Sequence, residues 1–451
     1  MLAVSSPLRS LINKTLPVCI GLFAIMSVQL VDSVFIGLLG VNQLAVHGMT
    51  LPFQTLLIGI QVGIGVGATA IMSQAIGAQT LYKARAIATL SVNGGIILMS
   101  LVCLLLWQLD TQILRVFIHP NTDNPHYVLL VNLFITYWPY WLFSALNVAV
   151  LYLLTSVYRA HGDTKTTGLM FVTASIINLI FDPLLIFYFD MGIKGAAIAS
   201  TLGYGIATIY VLFDLKPRRW FIRLSRHVGT LNYCIELIKM TSATITNQFL
   251  PAASAFLAMM FIAKLGTDAI AFWSLLARIE SFLLVLTLAL TMSMPPMIGQ
   301  YFGAQQYHAI DTLLSAAAKL LLSFTAISAV LFALSTDLLL TLIPLEPPLN
   351  NWLTTALWIM PISYGPLGVC MVAVSVLNAL GTPKTALMVS FARLFVLYIP
   401  AIAIGTATGD MFYTLIGATI ANMLAGTFAW FKLKNYLKST LDHAQPCVAN
   451  A

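Results

Sequence analysis

Long apolar runs fill most of the chain, separated by short polar or glycine-containing breaks. A helix rises about 1.5 Å per residue, so roughly 20 apolar residues bridge the ~30 Å hydrocarbon layer of a bilayer. On that measure the pattern predicts twelve transmembrane helices, at residues 10–37, 47–73, 84–108, 126–156, 167–189, 193–214, 234–263, 270–298, 311–335, 351–380, 385–407 and 411–433. The first run, Leu11 to Gly40, is too long and too interrupted by Asp32 to be a cleaved leader, and no small-residue cleavage site follows it. It is expected to be a retained span. The fold class is therefore an all-α integral membrane protein.

The polar breaks predict orientation. Arg9 and Lys14 open the first span; Lys83, Arg85, Arg159 and Lys165 follow the second and fourth; Lys216, Arg218, Arg219, Arg223 and Arg226 follow the sixth; Lys384 follows the tenth, and Lys432, Lys434 and Lys438 the last. With an even number of spans these lie on one side, which the positive-inside rule makes cytoplasmic. Arg115, Lys194 and Lys264 are exceptions. Both termini are expected in the cytoplasm, and the membrane is expected to be the inner (plasma) membrane. The basic stretch 216–232 is either an amphipathic helix on anionic headgroups or a linker that fixes topology.

The pattern also repeats. Gly40 and Ala45 recur as Gly266 and Ala271, and Gln74, Gly77, Ala78 and Gln79 as Gln300, Gly303, Ala304 and Gln305, all at an offset of 226. AHGDTKT (160–166) recurs as ALGTPKT (379–385), and GAAIAS (195–200) as GATIAN (417–422). Each half carries six spans, so the repeats are parallel, a plan in which substrate binds between halves that rock. The expected organisation is a six-helix lobe over 1–215, a connector over 216–233, a second six-helix lobe over 234–435 and a tail over 436–451.

Composition narrows the class. The chain is 59% hydrophobic and 8% charged, with a mean hydropathy of +0.92, whereas soluble domains carry about 25% charged residues. Its net charge of +7 resides mostly in membrane-flanking loops and requires no nucleic acid. The five cysteines are scattered, so neither a disulfide framework nor a metal site is indicated. The histidines form no H-E-x-x-H, and no nucleophile–base cluster is visible, so an enzyme is not expected.

Against this apolar background the acids stand out. An aspartate at mid-membrane costs about 2.5–3.5 kcal/mol on insertion scales and is functional by default. Asp32 occupies such a position, and Pro17, fifteen residues earlier, frees the carbonyl of Asn13 and offers a hinge. On the fifth span Asn178 and Asp182 are spaced i, i+4 on one face, with Pro183 next. Ser200 lies on the small-residue run of the sixth span, which permits close helix approach. With Gln29, these residues are expected to form one polar nest. The acids have apolar counterparts in the second half: Ala258 opposite Asp32 and Ile399 opposite Asp182. Two carboxyls in one dry site do not both ionise cheaply, so the nest suits a proton carrier. The same oxygens also suit Na⁺, or plain structural hydrogen bonding. Tyr137, Trp138, Trp141, Met259 and Met260 are candidates for a greasy substrate cavity or for packing. Arg278, Glu280, Lys319 and Arg393 read as structural.

The motifs VDSVFIG, SQAIGAQ, RAHGDTKT, NLIFDPLLI and MGIKGAAIAS occur in the order seen in multidrug and toxic compound extrusion (MATE) transporters, and the chain resembles that family over essentially its whole length. Within it the chain looks most like the DinF branch, which carries the Pro17 and Asp32 pair and the Asn178 and Asp182 pair; Ser200 stands where relatives usually have threonine. It departs from the NorM type, whose acids lie in the seventh and tenth helices; here the seventh has only Glu236 at its mouth. The resemblance implies export of amphipathic, often cationic drugs and dyes driven by inward cations. A proton-coupled antiporter with first-helix bending is the expected function; a sodium-coupled exporter and a flippase for a lipid-linked saccharide are the alternatives. A major-facilitator porter shares the six-plus-six plan but not the loop after the second span. No cofactor is expected beyond the proton or sodium gradient, and the expected partners are small-molecule drugs, protons and membrane lipids, with the chain as a monomer.

Overall fold

The computed structural model describes residues 7–117, 125–222, 230–336 and 348–448. The elements run α1 (Pro7–Leu39), α2 (Val41–Gly77), α3 (Leu81–Gln108), α4 (Asp110–Phe117), α5 (Pro125–Ala160), α6 (Thr164–Pro183), α7 (Ile193–Arg218), α8 (Thr230–Ile262), α9 (Thr267–Leu283), α10 (Val285–Gly303), α11 (Tyr307–Leu334), α12 (Leu349–Ile359), α13 (Pro361–Ala379), α14 (Pro383–Phe391), α15 (Ile399–Ala407) and α16 (Met411–Val448). Among the described residues there is no strand. Among the described residues eleven helices are long and apolar enough to cross a membrane, or twelve when α9 and α10, bent by 47° at Leu284, count as one broken span. Many large apolar side chains, among them Leu38, Ile97, Phe213 and Phe256, lie exposed, which suits a lipid-facing surface.

The backbone departs from the expected spans in a few places. The run 351–380 is two helices that meet at Met360, just before Pro361, and only α13 has crossing length. The short α4 was not expected; Asp110 in its first turn and Arg115 in its last complement the helix dipole. After Pro183, which lacks an amide proton, the chain widens into a π-helical turn over Leu184–Tyr188, and a second π segment, Ala392–Tyr398, precedes Pro400. Residues 216–218 of the basic connector complete α7 and 230–232 open α8. Arg223, Arg226 and the rest of 223–229 lie outside the described residues, so the amphipathic-helix reading does too.

The internal repeat is written in the turns. Gln79 and Gln305 both adopt φ 59°, an unusual left-handed conformation for a non-glycine residue. Gly40 and Gly266, and Gly162 and Gly381, likewise share positive φ at equivalent places. The amide of Gln79 donates to Ile76 O and that of Gln305 to Phe302 O; Asp163 donates to Tyr158 O and Thr382 to Leu377 O.

Two compact units emerge: Pro17–Met72 with Thr80–Ile245, and Met1–Leu16 with Ser73–Gln79 and Thr246–Ala451. The helices α1, α2 and α8 each contribute to both. In the first unit the core gathers Trp138, Phe134, Met99 and Ile36. In the second, Met294, Ile298, Leu377 and Leu313 form one core and Phe272, Leu357 and Leu415 another. Within the second unit the ends of α2 and α10 cross at matched glycines. A Cβ on Gly77 would come 2.0 Å from Gln300 O, and one on Gly303 2.0 Å from Gln74 O.

Candidate functional site

The site lies wholly within the first unit, on α1, α6 and α7. Glycines set the approach of these helices. A Cβ on Gly168 of α6 would fall 2.1 Å from Pro17 O, so α1 crosses α6 directly at its proline. On α7, a Cβ on Gly203 would lie 2.5 Å from Ala174 O, and one on Gly195 2.7 Å from the carbonyl of Leu185 in the π turn. The small-residue run of α7 therefore does allow the expected close packing, and it brings Ser200 to Asn178.

The Asn178 amide bridges the nest. It donates to Asp182 Oδ1 at 3.3 Å and to Ser200 Oγ at 3.1 Å. Asp182 and Asn178 are almost wholly buried, at 0% and 2% exposure. The carboxyls of Asp32 and Asp182 are within hydrogen-bonding reach of each other. Because an ionised carboxylate is acceptor-only, that bond exists only when one of the two holds a proton. Asp32 Oδ1 and Asp182 Oδ2 are buried without another partner. Two aromatic hydroxyls complete the surroundings: Tyr137 lies within electrostatic range of both acids and Tyr204 of Asp32. Tyr137 OH is 3.2 Å from His47 Nδ1.

Gln29 stands apart. It is exposed, and its backbone carbonyl accepts from Ser33 Oγ, while its side chain makes no hydrogen bond to the acids. Trp141 is 9% exposed and stacks on Trp138 at 5.3 Å, inside the core of the first unit. Met259 is half-buried on α8, in the second unit. Pro17 sits inside an unbroken α1, at the residue where that helix passes from one unit to the other. Sequence reasoning missed His47 and Tyr204. The i, i+4 spacing of Ser200 and Tyr204 on α7 was the available signal; His47, at the start of α2, offered none.

Elsewhere in the second unit, Glu280 and Arg393 lie within electrostatic range, with Tyr364 and Tyr398 within range of the glutamate and Cys370 within range of the arginine. At the basic end of the first unit, Asp163 caps α6 through Thr166 N at 3.0 Å, and Arg218 binds Asp214 at 2.7 Å and Asp163 at 3.3 Å. Tyr158 OH donates to Asp214 Oδ2 at 2.6 Å. Trp220 stacks on His161 at 4.0 Å, and Ile222 exchanges backbone bonds with the Thr89 hydroxyl. Glu236 pairs with Lys83 at 2.8 Å.

Comparison with known proteins places this architecture. The family model described as MatE matches residues 17–184 and 243–404. A solved structure of an aspartate-to-asparagine mutant of VcmN, a Vibrio cholerae MATE transporter, is 37% identical, covers 97% of this chain and 99% of that chain, and superposes with a TM-score of 0.92. A Shewanella oneidensis protein named FAD transporter is 28% identical over 95% of both chains. The multidrug export protein MepA of Staphylococcus aureus is 23% identical over 66% of this chain and 65% of its own. The twelve-span, two-lobe plan, the repeated turns and these matches agree, and the chain belongs to the MATE family of multidrug and toxic compound efflux transporters, moving small molecules across a membrane and catalysing no reaction.

Proposed function

We propose that this transporter is a proton-driven antiporter, taking protons at Asp32 and Asp182 as it expels an amphipathic or cationic small molecule. The observation that carries the reading is a pair of carboxyls, Asp182 fully buried and Asp32 half-buried, within reach of a mutual hydrogen bond that would require a proton. No lysine or arginine joins the nest among its described partners, so charge compensation falls to the proton itself. Protonation replaces an acceptor by a donor and redraws the bonds among α1, α6 and α7. It shifts the helix only through differential affinity for two shapes, about 1.4 kcal/mol per unit of pKa difference between them. Pro17 is where the ladder of α1 can yield, and its contact with Gly168 is the fulcrum. In this reading the protein works as a monomer in the plasma membrane with both termini cytoplasmic, as the basic loops favour.

The substrate has a second reading. The full-length match to a protein named FAD transporter favours a flavin dinucleotide over a cationic dye. Purified protein in liposomes, loaded with either ethidium or FAD, separates the two readings directly. Imposed separately, a pH gradient should drive export and a sodium gradient at constant pH should not. Asp32→Asn should abolish pH-driven export while the protein remains folded. Strict sodium dependence, or wild-type rates in the Asn variant, would reverse the assignment.

A further inference from the structure

Asp182 is fully buried, and Asp32 is half-buried with its Oδ1 shielded, so a proton held on Asp182 needs a way out. Along the seam of α6 and α7 the polar residues form a file from the nest to the basic end. On α6, Asp182, Asn178 and Ser175 occupy one face; on α7, Ser200, Tyr204 and Thr208 follow at i, i+4, i+8. The two helices run antiparallel and touch where Gly203 meets Ala174 O and the backbone nitrogen of Asn178. Residues Ser175 and Tyr204 therefore flank the crossing, and Asn178 and Ser200 are bonded on its nest side. One turn beyond Thr208, the Val211 carbonyl accepts from Tyr158 OH at 3.4 Å, and that same hydroxyl donates to Asp214 Oδ2.

Many of the described hydroxyls satisfy themselves locally, as Thr201, Thr241 and Thr406 do by bonding a carbonyl one turn back. The file is different. Ser175 Oγ and Thr208 Oγ1 are buried with no hydrogen-bond partner among the protein atoms, and Asp182 Oδ2 has none beyond the Asp32 carboxyl. An unmade bond at either hydroxyl is costly unless water supplies it. Successive members along either helix are three or four residues apart, roughly 4.5–6 Å of rise. Two hydrogen bonds through one water span about 5.6 Å.

We propose that this file is the proton route between the carboxyl pair and the basic end of the unit, with Thr208 and Ser175 as relay hydroxyls and the Tyr158–Asp214 pair as its port. The proposal rests on the proton-coupled reading above. In each hop a hydroxyl oxygen or water accepts one proton and passes on another, so no member gains net charge after the event. Asp182 goes from acid to carboxylate. At the port the Tyr158 oxygen receives a proton as its own moves to Asp214 Oδ2, and Asp214, whose side chain is 29% exposed, releases it to solvent. The relay residues are positioning residues for proton transfer and do not contact substrate.

The test compares two modes in the same liposomes: export driven by a pH gradient, and exchange of labelled for unlabelled substrate with no gradient, which needs no proton release. The variants Thr208→Val, which keeps shape and removes the hydroxyl, and Tyr158→Phe are the probes, with Thr208→Ser as rescue. PH-driven export should fall about tenfold or more in both probes, exchange should stay within about twofold of wild type, and serine should restore export. Wild-type pH-driven export in both probes overturns the relay while leaving proton coupling intact. Loss of exchange in step with export assigns a structural role and also overturns it. If Thr208→Val does not fold, Tyr158→Phe decides alone. If the wild type itself ignores a pH gradient, the coupling reading fails, and the relay with it.

Discussion

At the scale of single residues, the nest is a chain of dependence. Asn178 spends one amide group on two acceptors, so its removal leaves both Asp182 Oδ1 and Ser200 Oγ without their bond. Asp182→Asn removes a proton site and should reduce pH-driven export nearly to background. Asn178→Ala leaves both acids able to bind protons but loosens their placement, so its export rate should lie between that of Asp182→Asn and wild type. Initial rates in liposomes under one fixed gradient rank the three; an Asn178→Ala variant as dead as Asp182→Asn would assign Asn178 a share in proton binding. Much of this site was legible in the sequence, because an acid in an apolar run has nowhere to hide. Asp32, Asn178 and Asp182 were conspicuous for that reason. Trp141 was not decidable, since an indole lining a cavity and one stacked in a core obey the same pattern, and the stack on Trp138 exists only in three dimensions. His47 reaches the site through Tyr137, ninety residues away, a relation no local spacing encodes.

At the scale of elements, two devices carry predictions. The first is α1. With its yield point against Gly168, a straight helix should be favoured by Pro17→Ala, which restores an amide donor in the helix interior. Substrate binding should survive and turnover should slow. Spin labels at positions 14 and 28 should report a distance that changes between high and low pH in the wild type and not in the variant; an unchanging distance in an active wild type would remove the bending step. The second device is the clamp on the start of the connector. His161, between α5 and α6, donates its Nδ1–H to Val157 O and stacks on Trp220. Burial, aided by Arg218 and Arg85, holds its imidazole below the usual value against the pull of the Val157 carbonyl. A free imidazole titrates near about 6.5. The undocked state therefore binds more protons below that pH, and docking, at full strength above it, weakens as pH falls toward the docked value. Trp220 emission should shift as the clamp opens on acidification, and His161→Phe, which retains the stack, should abolish that pH dependence. Apolar windows located nearly every span, but the bend at Leu284 and the join at Met360 escaped them, because hydropathy records what a helix is made of and not where its axis turns.

At the scale of the whole molecule, chain order and packing order differ. The first half of the chain sends Met1–Leu16 and Ser73–Gln79 into the unit built mainly from the second half. The second half returns the favour with the opening of α8 through Ile245, where Thr244 Oγ1 donates to Gly63 O at 2.7 Å. The matched crossing of Gly77 and Gly303 fixes one such loan, and it tolerates no methyl group on either side. Each half on its own is thus an incomplete object, exposing the sockets that its counterpart fills. A gene cut between codons 226 and 227, with both fragments made in one cell, should yield a complex that copurifies and exports substrate, while either fragment alone should be degraded. The same cut combined with Gly303→Trp should abolish copurification, because a nick is survivable only while the borrowed ends still fit. Held by exchanged helix ends, the two halves behave as clasped hands: the peptide link between them is a convenience of synthesis, and the grip is what makes them one transporter.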